Sequence, residues 1–231
     1  MRIILGGGGD AEQSKEVDSF YVSLLSTDTI AYLPQAAVPK LCTLQYAEAW
    51  LKDRPLLRKF HIKSFQDLTD LNKLADYETL FISGGNTFDL LWQFRHSGFI
   101  KALPDLSNAD KCIYGVSAGA IVLGDDILSA GIGPEADSNE TNLQSFQGAS
   151  LLKGYNVITH YKESYFEIVK RFVVKTKKPI VAIPEEAGAF FDGLTFKNVG
   201  SVALYLITEK GNTIPLPPKQ SFVIPSDADI K

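Results

Sequence analysis

Apolar runs of strand length alternate with helix-spaced apolar patterns through the first two-thirds of this 231-residue chain, and that alternation leaves few folds open. Arg2–Leu5, Thr29–Leu33, Phe60–Phe65, Thr79–Ser83 and Cys112–Val116 read as strands. Between them lie helical patterns over about Ala11–Ser26 (with Val17, Phe20, Tyr21 and Leu24 at helical spacing), Pro39–Asp53, a short one near Leu68–Tyr77, Thr87–His96 and Phe99–Ser107. Strands joined through helical crossovers lie parallel, and the helices bury both faces of the sheet. The expected fold is therefore α/β, with a mostly parallel central sheet and helices on both faces. Asn156–Thr159 reads as another central strand and Glu163–Thr176 as a helix. The tail is rich in strands, at Ile180–Ile183, Ala187–Phe191, Ser201–Thr208 and Ser221–Ile224, expected as an antiparallel extension or cover at the sheet edge. No internal repeat or low-complexity linker interrupts the pattern, so residues 1–231 read as one domain.

Where the fifth strand ends, the chain reads Gly115-Val116-Ser117-Ala118-Gly119, and a helix can begin directly after it. Strand, G-x-S-x-G, helix is the context of a nucleophile elbow, a sharp turn that lifts a serine hydroxyl above the carboxyl edge of the sheet. The glycines have a steric task, because the serine takes up a strained backbone conformation and side chains on its neighbours would clash with strand and helix.

A serine hydroxyl is a weak nucleophile until a base within hydrogen-bond reach takes its proton. The chain has three histidines. His61 lies in a strand well before the elbow and His96 ends a helix, whereas His160 follows the apolar strand ending at Thr159. That places His160 at the carboxyl edge, where open α/β sheets hold ligands, and makes it the candidate base. A carboxylate should orient the imidazole and stabilise its charged form. The segment from Gly131 to Glu140 offers Glu135, Asp137 and Glu140 between serine and histidine, an order known to build triads in α/β hydrolases. Spacing does not choose among them, and an acidic loop is also what a solvated surface loop looks like.

Two glycine-rich loops follow strands. Ser83-Gly84-Gly85-Asn86 precedes a helix, with Asn86 or Thr87 as its cap; the Gly85 N–H can pair with that of Ala118 to form an oxyanion hole. Gly6-Gly7-Gly8-Gly9-Asp10-Ala11 matches a dinucleotide fingerprint in form. The second strand, however, ends in Leu33-Pro34-Gln35 with no carboxylate for a ribose, and no Gly-Lys-Ser/Thr supplies a phosphate loop. These glycines read instead as a close-packed loop along the same edge, and no cofactor is expected.

Composition excludes several functions. Net charge is −4 with no long basic run, against a nucleic-acid footprint. No H-E-x-x-H, C-x-x-C or histidine pair at ligand spacing suggests a metal. No apolar segment has the length of a membrane span, and Met1–Leu5 is too short an apolar run for a signal peptide. Cys42 and Cys112 sit in apolar contexts and read as buried free thiols of a reducing compartment, so the expectation is a cytoplasmic protein.

Taken together, the glycine loop Leu5–Gly9, Ile82-Ser83-Gly84-Gly85-Asn86-Thr87, Gly115-Val116-Ser117-Ala118-Gly119-Ala120, Thr159-His160-Tyr161 and Ile183-Pro184-Glu185-Glu186-Ala187 resemble the S51 serine peptidases. That family contains aspartyl dipeptidase (peptidase E) and cyanophycinase, and its fold is related to class I glutamine amidotransferases. The resemblance implies Ser117 as nucleophile, His160 as base, the Gly85 and Ala118 amides as oxyanion hole, and Asp137 or Glu135 as the nearest match for the acid. It places Glu186 where such proteins often carry an active-site-edge carboxylate. One departure concerns specificity. Members that prefer an N-terminal aspartate carry an arginine after the histidine, where this chain reads Tyr161-Lys162-Glu163-Ser164-Tyr165-Phe166-Glu167. Lys162 does not reproduce the bidentate fork of arginine, although Lys162 or Arg171 stands nearby as a substitute. Asn86, Lys162 and Glu186 are the candidate substrate contacts.

The expected function is hydrolysis of a dipeptide or other small peptide amide through an acyl-enzyme on Ser117, by a monomer or homodimer. Ester hydrolysis or acyl transfer at the same serine is an alternative, since all begin with an acyl-enzyme. A catalytically silent small-molecule or partner-binding member of the fold is another.

Overall fold

The computed structural model describes residues 1–37, 44–108 and 111–225. Among them the chain runs through β1 (Arg2–Gly6), α1 (Lys15–Ser23), β2 (Thr29–Leu33), α2 (Leu44–Lys52), β3 (His61–Ser64), β4 (Thr79–Ile82), α3 (Thr87–His96), α4 (Phe99–Asn108), β5 (Cys112–Val116) and the short α5 (Ala118–Ile121). It continues with β6 (Asn156–Ile158), α6 (Phe166–Thr176), β7 (Ile180–Ala182), β8 (Gly188–Phe191), β9 (Thr195–Asn198), β10 (Leu204–Ile207), β11 (Thr213–Leu216) and β12 (Ser221–Val223).

An eight-stranded sheet has the order β12-β9-β8-β1-β5-β4-β2-β3. Its β1, β5, β4, β2 and β3 are parallel, and β8, β9 and β12 extend it antiparallel from β1. Side chains alternate across this sheet, as a two-residue strand period requires. Ile3, Leu5 and Ile113 enter a core shared with Leu90, Leu91 and Phe94 of α3. Ile4 and Tyr114 face the opposite way, against Val17 and Tyr21 of α1. The α/β fold with helices on both faces is thus the fold observed. Because β1 and β4 flank β5 and run parallel to it, the loops leaving their carboxyl ends stand on either side of whatever follows β5. That is the crevice in which open α/β sheets bind ligands.

Several elements differ from the sequence expectation. Asn156–Ile158 is not a central strand. It is the edge of a separate four-stranded sheet, β11-β10-β7-β6, pairing parallel with β7 alone. All three of its residues are buried by packing rather than by a place inside the main sheet, so its apolar run could not report its position. The tail strands do not stay together: β8, β9 and β12 join the large sheet, while β7, β10 and β11 build the small one. The strands Thr195–Asn198 and Thr213–Leu216 had no clear sequence signal, the latter containing Pro215. Leu68–Tyr77 yields only a 3₁₀ turn at Leu71–Leu74. Cys112 is buried, and burial pushes its thiol up to about 12, so it stays protonated. Cys42 and the start of the helix expected from Pro39 lie outside the described residues. Among the described residues no helix is long and apolar enough to cross a membrane.

Candidate active site

The β5–α5 junction has the strain expected of an elbow. Ser117 has φ 53° and ψ −116°, a region L-residues rarely occupy, and its N–H donates to the Gly6 carbonyl at 3.1 Å. A Cβ on Gly115 would overlap the Gly119 carbonyl, so the strand-to-helix reversal is possible only without a side chain there. Ser117 lines a cavity of about 300 Å³, together with Gly85, Asp137 and His160 among others.

His160 follows β6 in the left-handed region, with φ 52°, and its N–H donates to the Gly7 carbonyl at 3.0 Å. Its ring bridges two groups. Nε2 is 3.0 Å from Ser117 Oγ, and Nδ1 is 3.0 Å from Glu185 Oε1. Gly8, at φ +101°, packs against the ring, where any Cβ would overlap Cε1 and Nε2. The Gly6–Gly9 loop is therefore the shelf on which the imidazole rests.

The carboxylate on the histidine corrects the sequence expectation. Neither Asp137 nor Glu135 reaches Nδ1; Glu185 does. It sits in the loop between β7 and β8, and since β7 runs parallel to β6, the loop after β7 emerges beside the one carrying His160. Its second oxygen accepts from Gln13 Nε2 at 3.0 Å, and Gln13 Oε1 in turn accepts from the Asp10 N–H at 2.9 Å. The hydrogen bonds from His160 and Gln13 hold the Glu185 carboxyl below its usual range, against the opposing effect of burial. Gln13 carried no sequence signal. Glu185 had one, the Pro-Glu-Glu segment, but two adjacent glutamates cannot be told apart without a fold.

The remaining expected residues divide clearly. Asp137 lines the cavity; its Oδ2 accepts from the Thr87 N–H at 2.9 Å and the Thr87 hydroxyl at 2.6 Å. Burial pushes its carboxyl up despite those two bonds. Glu135 also lines the cavity but is paired with Lys162 at 2.8 Å, which holds it below its usual range. Lys162 is thereby committed to Glu135. Asn86 caps α3, accepting from the Phe88 and Asp89 N–H groups at 2.9 and 3.0 Å, while its Nδ2 donates to the Ser138 carbonyl at 2.9 Å. Its side chain holds two loops together, with its oxygen taken by the helix cap and one N–H of its amide taken by Ser138. Glu186 touches Gln13 at 3.4 Å and does not reach His160. Glu140 turns to the Ser138 hydroxyl at 3.2 Å, on the exposed part of its loop. Among the described residues neither the Gly85 nor the Ala118 N–H enters a backbone hydrogen bond; Gly85 lines the cavity, while Ala118 is buried behind it. Among the described residues no three His, Cys, Asp or Glu side chains gather to hold a metal. The arrangement puts a ring nitrogen within hydrogen-bond reach of the Ser117 hydroxyl, the geometry in which an imidazole can take a hydroxyl proton.

The sequence model of Peptidase family S51 matches residues 3–199. Peptidase E of Shewanella denitrificans is 28% identical over 147 residues, covering 62% of this chain. The match spans 63% of that protein's own length, just under two thirds. An uncharacterized peptidase of Listeria monocytogenes is 26% identical over 182 residues, covering 75% of this chain and 86% of the relative. Among solved structures, a peptidase from an acI-B1 Actinobacterium superposes with a TM-score of 0.70 at 18% identity, covering 96% of each chain, a likeness of fold.

Proposed function

This chain belongs to peptidase family S51, and from that premise we propose that it is a serine peptidase that hydrolyses a dipeptide or other short peptide through an acyl-enzyme on Ser117. His160 Nε2 takes the Ser117 proton as Oγ attacks the scissile carbonyl carbon. The carbonyl oxygen, now negative, is held by the Gly85 and Ala118 N–H groups. His160 passes its proton to the leaving amine, the C–N bond breaks, and the acyl group stays on Oγ. Water, activated by the same nitrogen, then attacks the ester and releases the acid. Glu185 keeps Nδ1 protonated, fixes the ring and stabilises its positive form between the two proton transfers.

The observation that supports this reading best is the continuous relay Ser117 Oγ, His160 Nε2, His160 Nδ1, Glu185 Oε1, with 3.0 Å at each link. The test is intact mass after incubation with a fluorophosphonate, for wild type and Ser117→Ala in parallel. A single adduct with loss of fluoride, on wild type only, is expected. A folded wild type that takes up no adduct overturns the proposal.

A further inference from the structure

We infer that Gln13 is a positioning residue for the proposed hydrolysis: its neutral amide selects Glu185 over Glu186 and holds that carboxylate on His160, a role that rests on the reading of Ser117 as nucleophile and His160 as its base. Three observations lead to it.

The first is that the amide can stand only one way round. Gln13 Oε1 accepts from the Asp10 N–H at 2.9 Å, and a backbone N–H can only donate. Nε2 therefore faces the β7–β8 loop, where it donates to Glu185 Oε2 at 3.0 Å. Gln13 is itself tethered, because Asp10 Oδ1 accepts from the Glu12 and Gln13 N–H groups at 3.0 and 2.9 Å. The two loops are also pressed together beside this contact, since a Cβ on Gly9 would overlap the Glu185 carbonyl and Gln13 Cβ. With Oε1 of Glu185 3.0 Å from His160 Nδ1, both oxygens of the acid are fastened.

The second is selection between neighbours. Glu185 and Glu186 are adjacent, and Gln13 Nε2 lies 3.0 Å from an oxygen of the first and 3.4 Å from one of the second. The Glu186 carbonyl accepts from the Ser201 N–H at 3.0 Å and the Ser201 hydroxyl at 3.3 Å, which ties its backbone to the loop after β9. The shorter bond of the amide thus goes to the carboxylate that meets the histidine.

The third is charge. An amide donates a hydrogen bond without neutralising its acceptor. Glu185 therefore keeps the negative charge that stabilises the imidazolium, which a lysine or arginine at position 13 would cancel. The His160 hydrogen bond and, against burial, the Gln13 one hold the Glu185 carboxyl below its usual range.

The test is the rate of fluorophosphonate labelling at Ser117, by intact mass, for the full chain as wild type, Gln13→Met and Gln13→Glu between about pH 8 and pH 5. Oγ displaces fluoride at phosphorus, and calorimetry checks that each variant is folded. Methionine matches glutamine in length and donates nothing, so labelling should fall about 10- to 100-fold, the range for one hydrogen bond to a charged group. Glutamate keeps an oxygen for the Asp10 N–H but sets a third carboxylate against Glu185 and Glu186. At pH 8 it should label no faster than Gln13→Met. As pH falls, the introduced carboxyl, raised by its acidic neighbours, takes a proton and donates it to Glu185, so Gln13→Glu should overtake Gln13→Met. Asp10, Glu185, Glu186, His160 and Lys162, the charged groups that act on this contact, are common to both variants, so the crossing reports position 13. A Gln13→Met rate equal to wild type, or two variants that do not cross, overturns the role while leaving Ser117 a nucleophile. Failure of folded wild type to label overturns the nucleophile reading, and the role of Gln13 with it.

Discussion

Glu185 Oε1 lies 3.0 Å from Nδ1 of His160, on the edge of the ring away from the nitrogen that meets Ser117, and Gln13 reaches from the loop after β1 to hold the other oxygen at 3.0 Å. Three segments distant in sequence therefore meet on one imidazole: the β1–α1 loop beneath it, the β6 end that carries it, and the β7–β8 loop that orients it. The ring has little freedom left, which is the condition for passing a proton between fixed atoms.

Replacing Glu185 by Gln keeps the shape but removes the charge and the preference for an Nδ1 proton. The expected loss in kcat is about 10³- to 10⁴-fold, as for the orienting acid of other triads. Glu135→Gln, at the Lys162 pair, should cost far less. Steady-state kinetics on a short peptide substrate compares them, and equal losses for the two variants would remove Glu185 from the triad.

Ser117 stores backbone strain, with φ 53° and ψ −116°. Glycine tolerates that conformation, so Ser117→Gly should be more stable than Ser117→Ala by about 1–2 kcal/mol, both being inactive. At about 2–4 °C of Tm per kcal/mol for a chain of this size, calorimetry resolves the difference.

Gly8→Ala tests the shelf. At φ +101° a Cβ is strained and would overlap the His160 ring. The imidazole must shift, and a displacement of about 1 Å costs on the order of 10²-fold in rate. The fluorophosphonate labelling rate of the folded variant measures it; labelling as fast as wild type would show that the ring does not rest there.

Glu185 and Asp137 should give stability opposite dependences on pH. Glu185 has its folded pKa lowered, chiefly by the His160 hydrogen bond, so it stabilises the fold above the unfolded carboxylate pKa. That contribution disappears as pH falls through the lowered value. Asp137 has its folded pKa raised, chiefly by burial, so its ionised form weakens the fold at neutral pH, and the deficit closes as pH falls below the ordinary carboxylate range. At pH 7 the Tm of Glu185→Gln should therefore lie below wild type and that of Asp137→Asn above it; the Asp137 gap closes below the ordinary carboxylate range, the Glu185 gap only as pH falls through its lowered value. Melting curves from pH 7 to 3 check both signs.

The sequence by itself determined the features that depend on neighbours along the chain. The alternation of strands and helices set the parallel sheet, G-x-S-x-G after Cys112–Tyr114 set the elbow at Ser117, and the strand before His160 set that residue at a carboxyl edge. Each is local, because a two-residue strand period, a reversal that excludes Cβ atoms and a strand terminus are written within a few residues. Tertiary structure alone decided which carboxylate meets His160. Glu185 follows His160 by 25 residues, and the two meet only because β6 and β7 lie parallel in a second sheet, which the apolar run of β6 could not distinguish from a place in the first. It also decided that Asp137, a plausible triad member by its order in the chain, is bound to Thr87 instead, and that Gln13 rather than a charged group steadies Glu185. A carboxylate acts on whatever lies within about 3 Å of its oxygens, and pairings at that range between distant segments follow from strand order, which no local pattern contains.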